Sequence, residues 1–260
     1  MLYRHTIALL LAAVLATPGV ALSSPTSVRA QQKGAGLKKQ PTRGVWVKGS
    51  SGRLRQISRR VFQRAFKVKW TSRQLIGRPY TEKTLPGYSD GPGSFDINNM
   101  DAPQYVAPQY RVTRADRRAI NGKTAPVFIG KVSKTVGYGL FARGRIVKGA
   151  VVGQYTGVVR NEDLKKDRSN GYTFTYDPFN QLHMVVDAKD RGNYMRFANH
   201  SAKFANTAPR LVYDEPGKRW HVLLVATKEI RSGDQVLFNY GHQYGWERFG
   251  INKPTDLKPR

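Results

Sequence analysis

The chain has 260 residues and no cysteine, which excludes a disulfide framework, a thiolate zinc site and a cysteine nucleophile. Its 40% hydrophobic content, with 13 Tyr and 11 Phe, suffices for a globular core, while a mean hydropathy of -0.52 requires a strongly polar stretch beside it. The net charge of +27 is uneven: residues 31–125 carry 20 Lys and Arg against 5 Asp and Glu, residues 126–260 carry 22 against 12, and Glu82 is the first acid in the chain.

Such a field attracts nucleic acid, an anionic membrane or an acidic protein surface without choosing among them. At the N-terminus, Arg4 and His5 precede the apolar run Ile7 to Ala16, and Thr17-Pro18-Gly19 breaks it before small residues. This pattern predicts a signal peptide over 1–30, with Gly19-Val20-Ala21 or Val28-Arg29-Ala30 as cleavage sites. The apolar run is short for a retained spanning helix. An organelle transit peptide is the other alternative, and the continuous Leu/Ala core departs from the amphipathic form it needs.

Residues 31–125 read as a basic extension. Within it, Leu54, Ile57, Val61, Phe62, Ala65 and Phe66 alternate with Arg53, Arg55, Arg59, Arg60, Arg64, Lys67 and Lys69 near a 3.6 period, predicting a basic amphipathic helix from Arg53 to Lys69. Its apolar face can lie on a neighbouring domain while its charges are solvated, or the helix can bind nucleic acid or a membrane surface. Residues 85 to 110 are rich in Pro, Gly, Asp and Asn. They repeat Ala-Pro-Gln-Tyr at Ala102 to Tyr105 and at Ala107 to Tyr110, and read as an extended connector. A short helix from Thr113 to Ile120 follows before Asn121-Gly122 turns the chain.

After Ala125 the texture is that of many short strands. They are expected at 127–129, 139–142, 151–155, 173–176, 184–186, 210–213, 220–225 and 236–238, each bounded by turn residues. One short helix falls near 192–197. Regular strands with little helix between them predict a mainly β domain over 126–250, followed by a tail over 251–260.

Two polar segments carry the chemistry: Arg196-Phe197-Ala198-Asn199-His200-Ser201, and Gly233 through Gly241, which ends an apolar strand on Asn239 and Tyr240. Polar groups placed this way need partners, and a ligand can supply them. Gly137-Tyr138-Gly139 permits close backbone approach, but it lacks the third glycine and helix of a dinucleotide fingerprint. Ser201 beside His200 is not a nucleophile elbow. The five histidines show no ligand spacing, so no metal is expected.

Taken in order, Gly137-Tyr138-Gly139, Gln154-Tyr155-Thr156-Gly157, Val186-Asp187-Ala188, Gly192-Asn193, Arg196 to Ser201 with Asn206, and Gly233 to Gly241 resemble the motifs of SET-domain lysine methyltransferases. The resemblance spans about residues 127 to 250 and points to secreted bacterial members. It implies a fold of several small β-sheets with a knot-like core, in which one of the segments 196–201 and 233–241 passes beneath a loop made by the other. S-adenosylmethionine would lie on one face and the substrate lysine would enter from the other.

By resemblance, Gly137, Tyr138, Gly139, Tyr172, Arg196, Phe197, Asn199, His200 and Tyr240 contact the cofactor, and Trp246 covers the adenine or packs in the tail. Tyr240, Tyr172 and Tyr155 form the catalytic phenolic wall of the lysine channel. Phe238 stands where the number of methyl groups is influenced and implies two or three. Ala202 and Ala205 depart from the Cys and Pro common in the family, Gln154 replaces a frequent Glu, and with no cysteine in the sequence the zinc-bearing segment that often follows the domain is not expected.

The expected activity is protein-lysine N-methylation, on histones or other host proteins after export. Export requires a destination that contains S-adenosylmethionine, which suggests delivery into a host cell. The alternatives are a non-catalytic SET-like module that binds nucleic acid or chromatin through the basic half, and methylation of the organism's own ribosomal proteins in the cytoplasm.

Overall fold

Val45 and Val47 point inward and Lys48 outward, so Val45–Lys48 forms a half-buried strand, β1. At the turn that follows, the Gly49 N–H donates to the Arg53 carbonyl at 3.0 Å, and Gly52, at φ 77°, supplies the left-handed step that leads into β2, Leu54–Ile57. The computed structural model describes residues 44–81, 83–85, 110–167, 169–176, 182–217, 219–241 and 256–259. The segment expected to be a signal peptide, most of the Pro/Gly-rich connector with its tandem repeat, and Trp246 lie outside the described residues.

The basic helix is shorter than its sequence period suggests. Helix α1 covers Arg59–Phe66, with the Ser58 hydroxyl accepting the Val61 N–H at 3.3 Å, and it stops at Lys67, whose φ of 56° cannot continue it. Residues 54–57, expected in that helix, pair instead antiparallel with β1, Leu54 opposite Lys48 and Ile57 opposite Val45. Strand pairing supplies every second backbone group there with a partner, which outweighs a local helical preference. Helix α1 then turns Phe62, fully buried, onto the core, an apolar burial contributing about 2–3 kcal/mol.

Strands β3 (Lys69–Trp70) and β4 (Leu75–Ile76) carry the chain onward. Helix α2 (Arg114–Ile120) follows the expectation closely. Thr113 and Asp116 form a reciprocal capping box, and Asp116, fully buried, is paired with Arg210.

Each strand expected between 127 and 238 recurs: β5 (Val127–Ser133), β6 (Gly137–Ala142), β7 (Val151–Gln154), β9 (Thr173–Thr175), β10 (Met184–Asp187), β13 (Thr207–Asp214), β14 (Arg219–Ala226) and β15 (Leu237–Phe238). Strands β8 (Val158–Asn161), β11 (Arg191–Gly192) and β12 (Asn199–His200), and a short helix α3 (Leu164–Asp167), add to them. The helix expected near 192–197 is a 3-10 turn, Tyr194–Phe197, capped by Asn193.

The architecture is mainly β, in several small sheets. One runs β2-β1-β5-β6, a second β4-β8-β10-β9, a third pairs β11 with β3, and the largest runs β12-β15-β13-β14-β7. Strands from 45–76 therefore enter three sheets whose other members come from 127–192. The Tyr194 hydroxyl accepts the Trp46 N–H at 2.6 Å and Thr156 donates to the Thr71 carbonyl at 2.9 Å, which fastens the basic segment further.

Candidate active site

The site begins with a topological oddity. Strand β15, late in the chain, lies between β12 and β13, which are joined by residues 201–206 alone. Asn199 pairs with Leu237 and His200 with Phe238, both parallel, and Thr207 of β13 pairs with Phe238 from the other side. Asn206 locks the crossing. Its amide donates to the Gln235 carbonyl and its Oδ1 accepts the Leu237 N–H, each at 2.9 Å. This is the knot-like core that the SET-domain resemblance implies, and it brings 199–200 beside 238–240 although about forty residues separate them.

Tyr240 stands at the exit of that crossing. Its hydroxyl donates to the Ala198 carbonyl at 2.8 Å and its N–H donates to His200 Nδ1 at 3.1 Å. The His200 ring is 5.2 Å from that of Tyr240, and the Phe238 ring is 4.6 Å from it on another side. Accepting at Nδ1 fixes the neutral Nε2–H tautomer of His200. Burial lowers the imidazole from its ordinary value of 6.5, against an opposing pull from the Asp256 carboxylate. Burial also pushes the Tyr240 phenol up, with Tyr172 adding to it, so the hydroxyl stays a neutral donor.

The phenols of Tyr155, Tyr172 and Tyr240 come together. Tyr155 is 1% exposed and its hydroxyl donates to the Tyr172 carbonyl at 2.9 Å. Burial raises its phenol well above the ordinary range; Arg196 acts in the opposite direction, and Tyr240, Asp187 and Tyr172 act with burial, so these five groups share one electrostatic neighbourhood. Phe174 extends the aromatic wall, 5.5 Å from Tyr155 and 6.2 Å from Phe238.

Arg196 is the cation of the site. Its guanidinium lies 3.9 Å from the centre of the Tyr172 ring and 5.0 Å from that of Phe197, and its Nε donates to the Ala188 carbonyl at 2.9 Å. The Val186-Asp187-Ala188 motif serves this geometry, because Asp187 is clamped by Arg160 through Nε at 3.0 Å and an NH2 group at 2.7 Å.

Asn199 explains the second glycine of Gly137-Tyr138-Gly139. Its amide donates to Gln235 Oε1 at 2.9 Å and to the Tyr138 carbonyl at 3.2 Å. A Cβ on Gly139 would stand 3.0 Å from Asn199 Nδ2 and 2.8 Å from Val132, and closer still to Gln235 Oε1. Gly137, at φ 77°, opens the strand that carries Tyr138. Tyr138 and Phe197 are in turn covered by α1, with Phe66 meeting both edge-on at 5.0 and 5.2 Å.

Three contributors escape a sequence reading. Gln235 sits inside a quoted motif, yet its role depends on the fold that brings it to Asn199. Phe66 has its period as a signal of burial but nothing that names Tyr138 and Phe197 as its partners. Asp256 gives no sequence signal: its Oδ1 accepts from the Ala202 and Lys203 N–H groups at 2.6 and 3.0 Å and from the Ser201 hydroxyl at 3.1 Å. Ser201 is thereby a structural hydroxyl that also accepts the Phe204 N–H. The tail further ties Gln235, whose N–H donates to the Pro259 carbonyl at 2.7 Å.

Residues 137–241 match the SET domain family. The chain is 30% identical over 134 residues to the histone-lysine N-methyltransferase EZH2 of Chaetomium thermophilum, an alignment covering 47% of this chain and 9% of that protein. It is 31% identical over 127 residues to the human histone-lysine N-methyltransferase 2B, covering 45% of this chain and 4% of that protein. Among solved structures, the Chaetomium thermophilum polycomb repressive complex 2 is similar at 31% identity and a TM-score of 0.43, covering 48% of this chain and 16% of that one. The chain thus spans a small part of the length of these relatives.

Proposed function

We propose that the SET domain makes this protein an S-adenosylmethionine-dependent protein-lysine N-methyltransferase. The observation that carries the reading is the convergence of Tyr155, Tyr172 and Tyr240 with Arg196 and His200 at the threaded β12–β15 crossing. SET-domain methyltransferases use this cofactor, and the groups gathered here suit it. Arg196 offers a cation for its carboxylate, Tyr138 and Phe197 offer aromatic faces, and Asn199 and His200 build the wall between them. When bound, the cofactor supplies a methyl group on a positively charged sulfur.

The chain's own residues must then align the acceptor, exclude water and keep the lysine amine neutral. A narrow surround of Tyr155, Phe174, Phe238 and Tyr240 supplies low polarity, which lowers the pKa of an entering amine without a dedicated carboxylate base. The Tyr240 hydroxyl, anchored on Ala198, fixes the phenol at one end of that surround. Phe238 offers no hydroxyl to hold a water there, so two or three methyl groups are added.

Histones, or other basic proteins of a host cell reached after export, are the substrates this reading favours. Its support is the homology to histone-lysine methyltransferases and the apolar N-terminal run. The test is transfer of radiolabelled methyl from S-adenosylmethionine to mixed histones, with mass spectrometry of the product. Wild type is expected to label a lysine with two or three methyl groups, and Tyr240→Phe to lose about 100-fold in rate. Wild-type labelling no higher than that of Tyr240→Phe, with DNA binding intact, leaves the non-catalytic chromatin module as the function.

A further inference from the structure

Helix α1 spends its two faces differently. Phe62 and Phe66 face inward, Phe62 packing 5.3 Å from Trp70 and Phe66 resting on Tyr138 and Phe197. Arg60, Gln63, Arg64 and Lys67 are exposed on the outside. At the C-terminal end of the helix the ladder of β3 and β11 brings in two more cations, since Lys69 pairs with Arg191. A cleft of about 540 Å3 opens there, lined by Gln63, Arg64, Lys67, Lys69, Asp190 and Arg191. Four cationic side chains face the single carboxylate of Asp190, a net of three positive charges.

The helix dipole accounts for Arg64 and Lys67, which stand at the end where cations are favourable. It does not account for Arg60 on the first turn or for Lys69 and Arg191, which belong to strands. We propose that this face, from Arg60 through the cleft to Arg191, docks the phosphodiester backbone of duplex DNA.

Three observations select the occupant. The charge is complementary to closely spaced phosphates and nearly free of competing acid. Phe62, Phe66 and Trp70 are committed to one another and to Phe197, Tyr138 and Tyr194, so no ring of this helix is left to stack on the bases of a single strand. The same commitment removes the apolar face that an amphipathic helix inserts into a membrane. A duplex held on the outer face lies roughly 10 Å, one helix diameter, from the Tyr138 and Phe197 wall. The inference does not rest on methyl transfer, because binding is read without cofactor.

The test is fluorescence anisotropy of the full chain with a short labelled duplex across a range of salt. Replacing Arg60, Arg64, Lys69 and Arg191 together by Gln is expected to weaken binding at least tenfold and to flatten the log K against log salt slope by about 3–4. A charge-retaining set, Arg60→Lys, Arg64→Lys, Lys69→Arg and Arg191→Lys, keeps the wild-type slope, which separates charge from folding. A matched set of four exposed cations elsewhere, Lys134, Lys148, Lys228 and Arg231 to Gln, changes it by less than one unit. Equal flattening by both Gln sets, or none by the first, overturns the proposal. So does tighter binding of an oligo(dT) strand, of anionic vesicles or of polyglutamate than of the duplex.

Discussion

The backbone N–H of Tyr240 donates to Nδ1 of His200 at 3.1 Å, so this tie between the Tyr240 backbone and the ring exists only while the imidazole is neutral. A protonated Nδ1 cannot accept. Burial lowers the folded His200 below 6.5, so an unfolded chain takes the proton first. The resulting stability is present above the unfolded value and is lost as pH falls from there through the folded value. Imidazole resonances of His200 followed by NMR should titrate below the ordinary range. In Asp256→Asn they should titrate lower still, because the carboxylate that raises them is gone. A His200 titration at or above 6.5 contradicts the assigned geometry.

Gly139→Ala should disable the site from within the β6 strand. The added methyl meets Val132 and Asn199 Nδ2 and crowds Gln235, so the Asn199 amide loses its place between Gln235 and Tyr138. Overpacking of this kind costs about 1–3 kcal/mol. Calorimetry with S-adenosylmethionine should show cofactor affinity at least tenfold weaker, and the melt should fall by the corresponding few degrees. Unchanged affinity with a lowered melt would make Gly139 a packing glycine only.

Phe66→Ala should reach the same site from the N-terminal segment. The ring is half-buried against Tyr138 and Phe197, and its removal leaves a gap costing about 2 kcal/mol. Cofactor affinity is expected to weaken severalfold, and Phe66→Leu to restore most of it. If Phe66→Ala lowers the melt while binding cofactor as wild type does, the helix supports the fold and not the cofactor wall.

Asp214 should govern part of the acid stability. Burial raises its carboxyl, but the Arg117 guanidinium at 2.6 Å and the neighbouring His221 outweigh this and hold it at about 2. The stability it contributes, about 1–2 kcal/mol, is fully present above the unfolded carboxylate value and disappears as pH falls towards 2. In Arg117→Ala, denaturant melts between pH 5 and 2 should show a shallower decline than wild type. Parallel curves would assign the acid sensitivity to other carboxylates.

Much of the fold is local enough to be legible. The strands from β5 to β15 that alternate or run apolar between turn residues announce themselves, and Thr113 with Asp116 marks the start of α2 through its capping box. Strands β1 to β4 are quieter because each has only two to four residues, and β1, β2 and β3 each carry Arg or Lys as well. Leu54–Ile57, with Arg55 and Gln56 between its apolar ends, fits a helical face as well as a strand until β1 lies beside it.

The sequence by itself determined which residue types gather at the site. Arg196, Phe197, Asn199, His200 and Tyr240 occur in an order that a periodic core does not require. The tertiary structure alone decided how they meet. Only the threading of β15 between β12 and β13 puts the His200 imidazole against the Tyr240 backbone, and only the approach of Gly139 to Gln235 locates the Asn199 amide. It also decided that the basic helix presents its charges outward while Phe66 completes an aromatic wall. The physical reason is range: periodicity and capping act over one or two turns of chain, whereas these contacts join residues 36 to 131 positions apart.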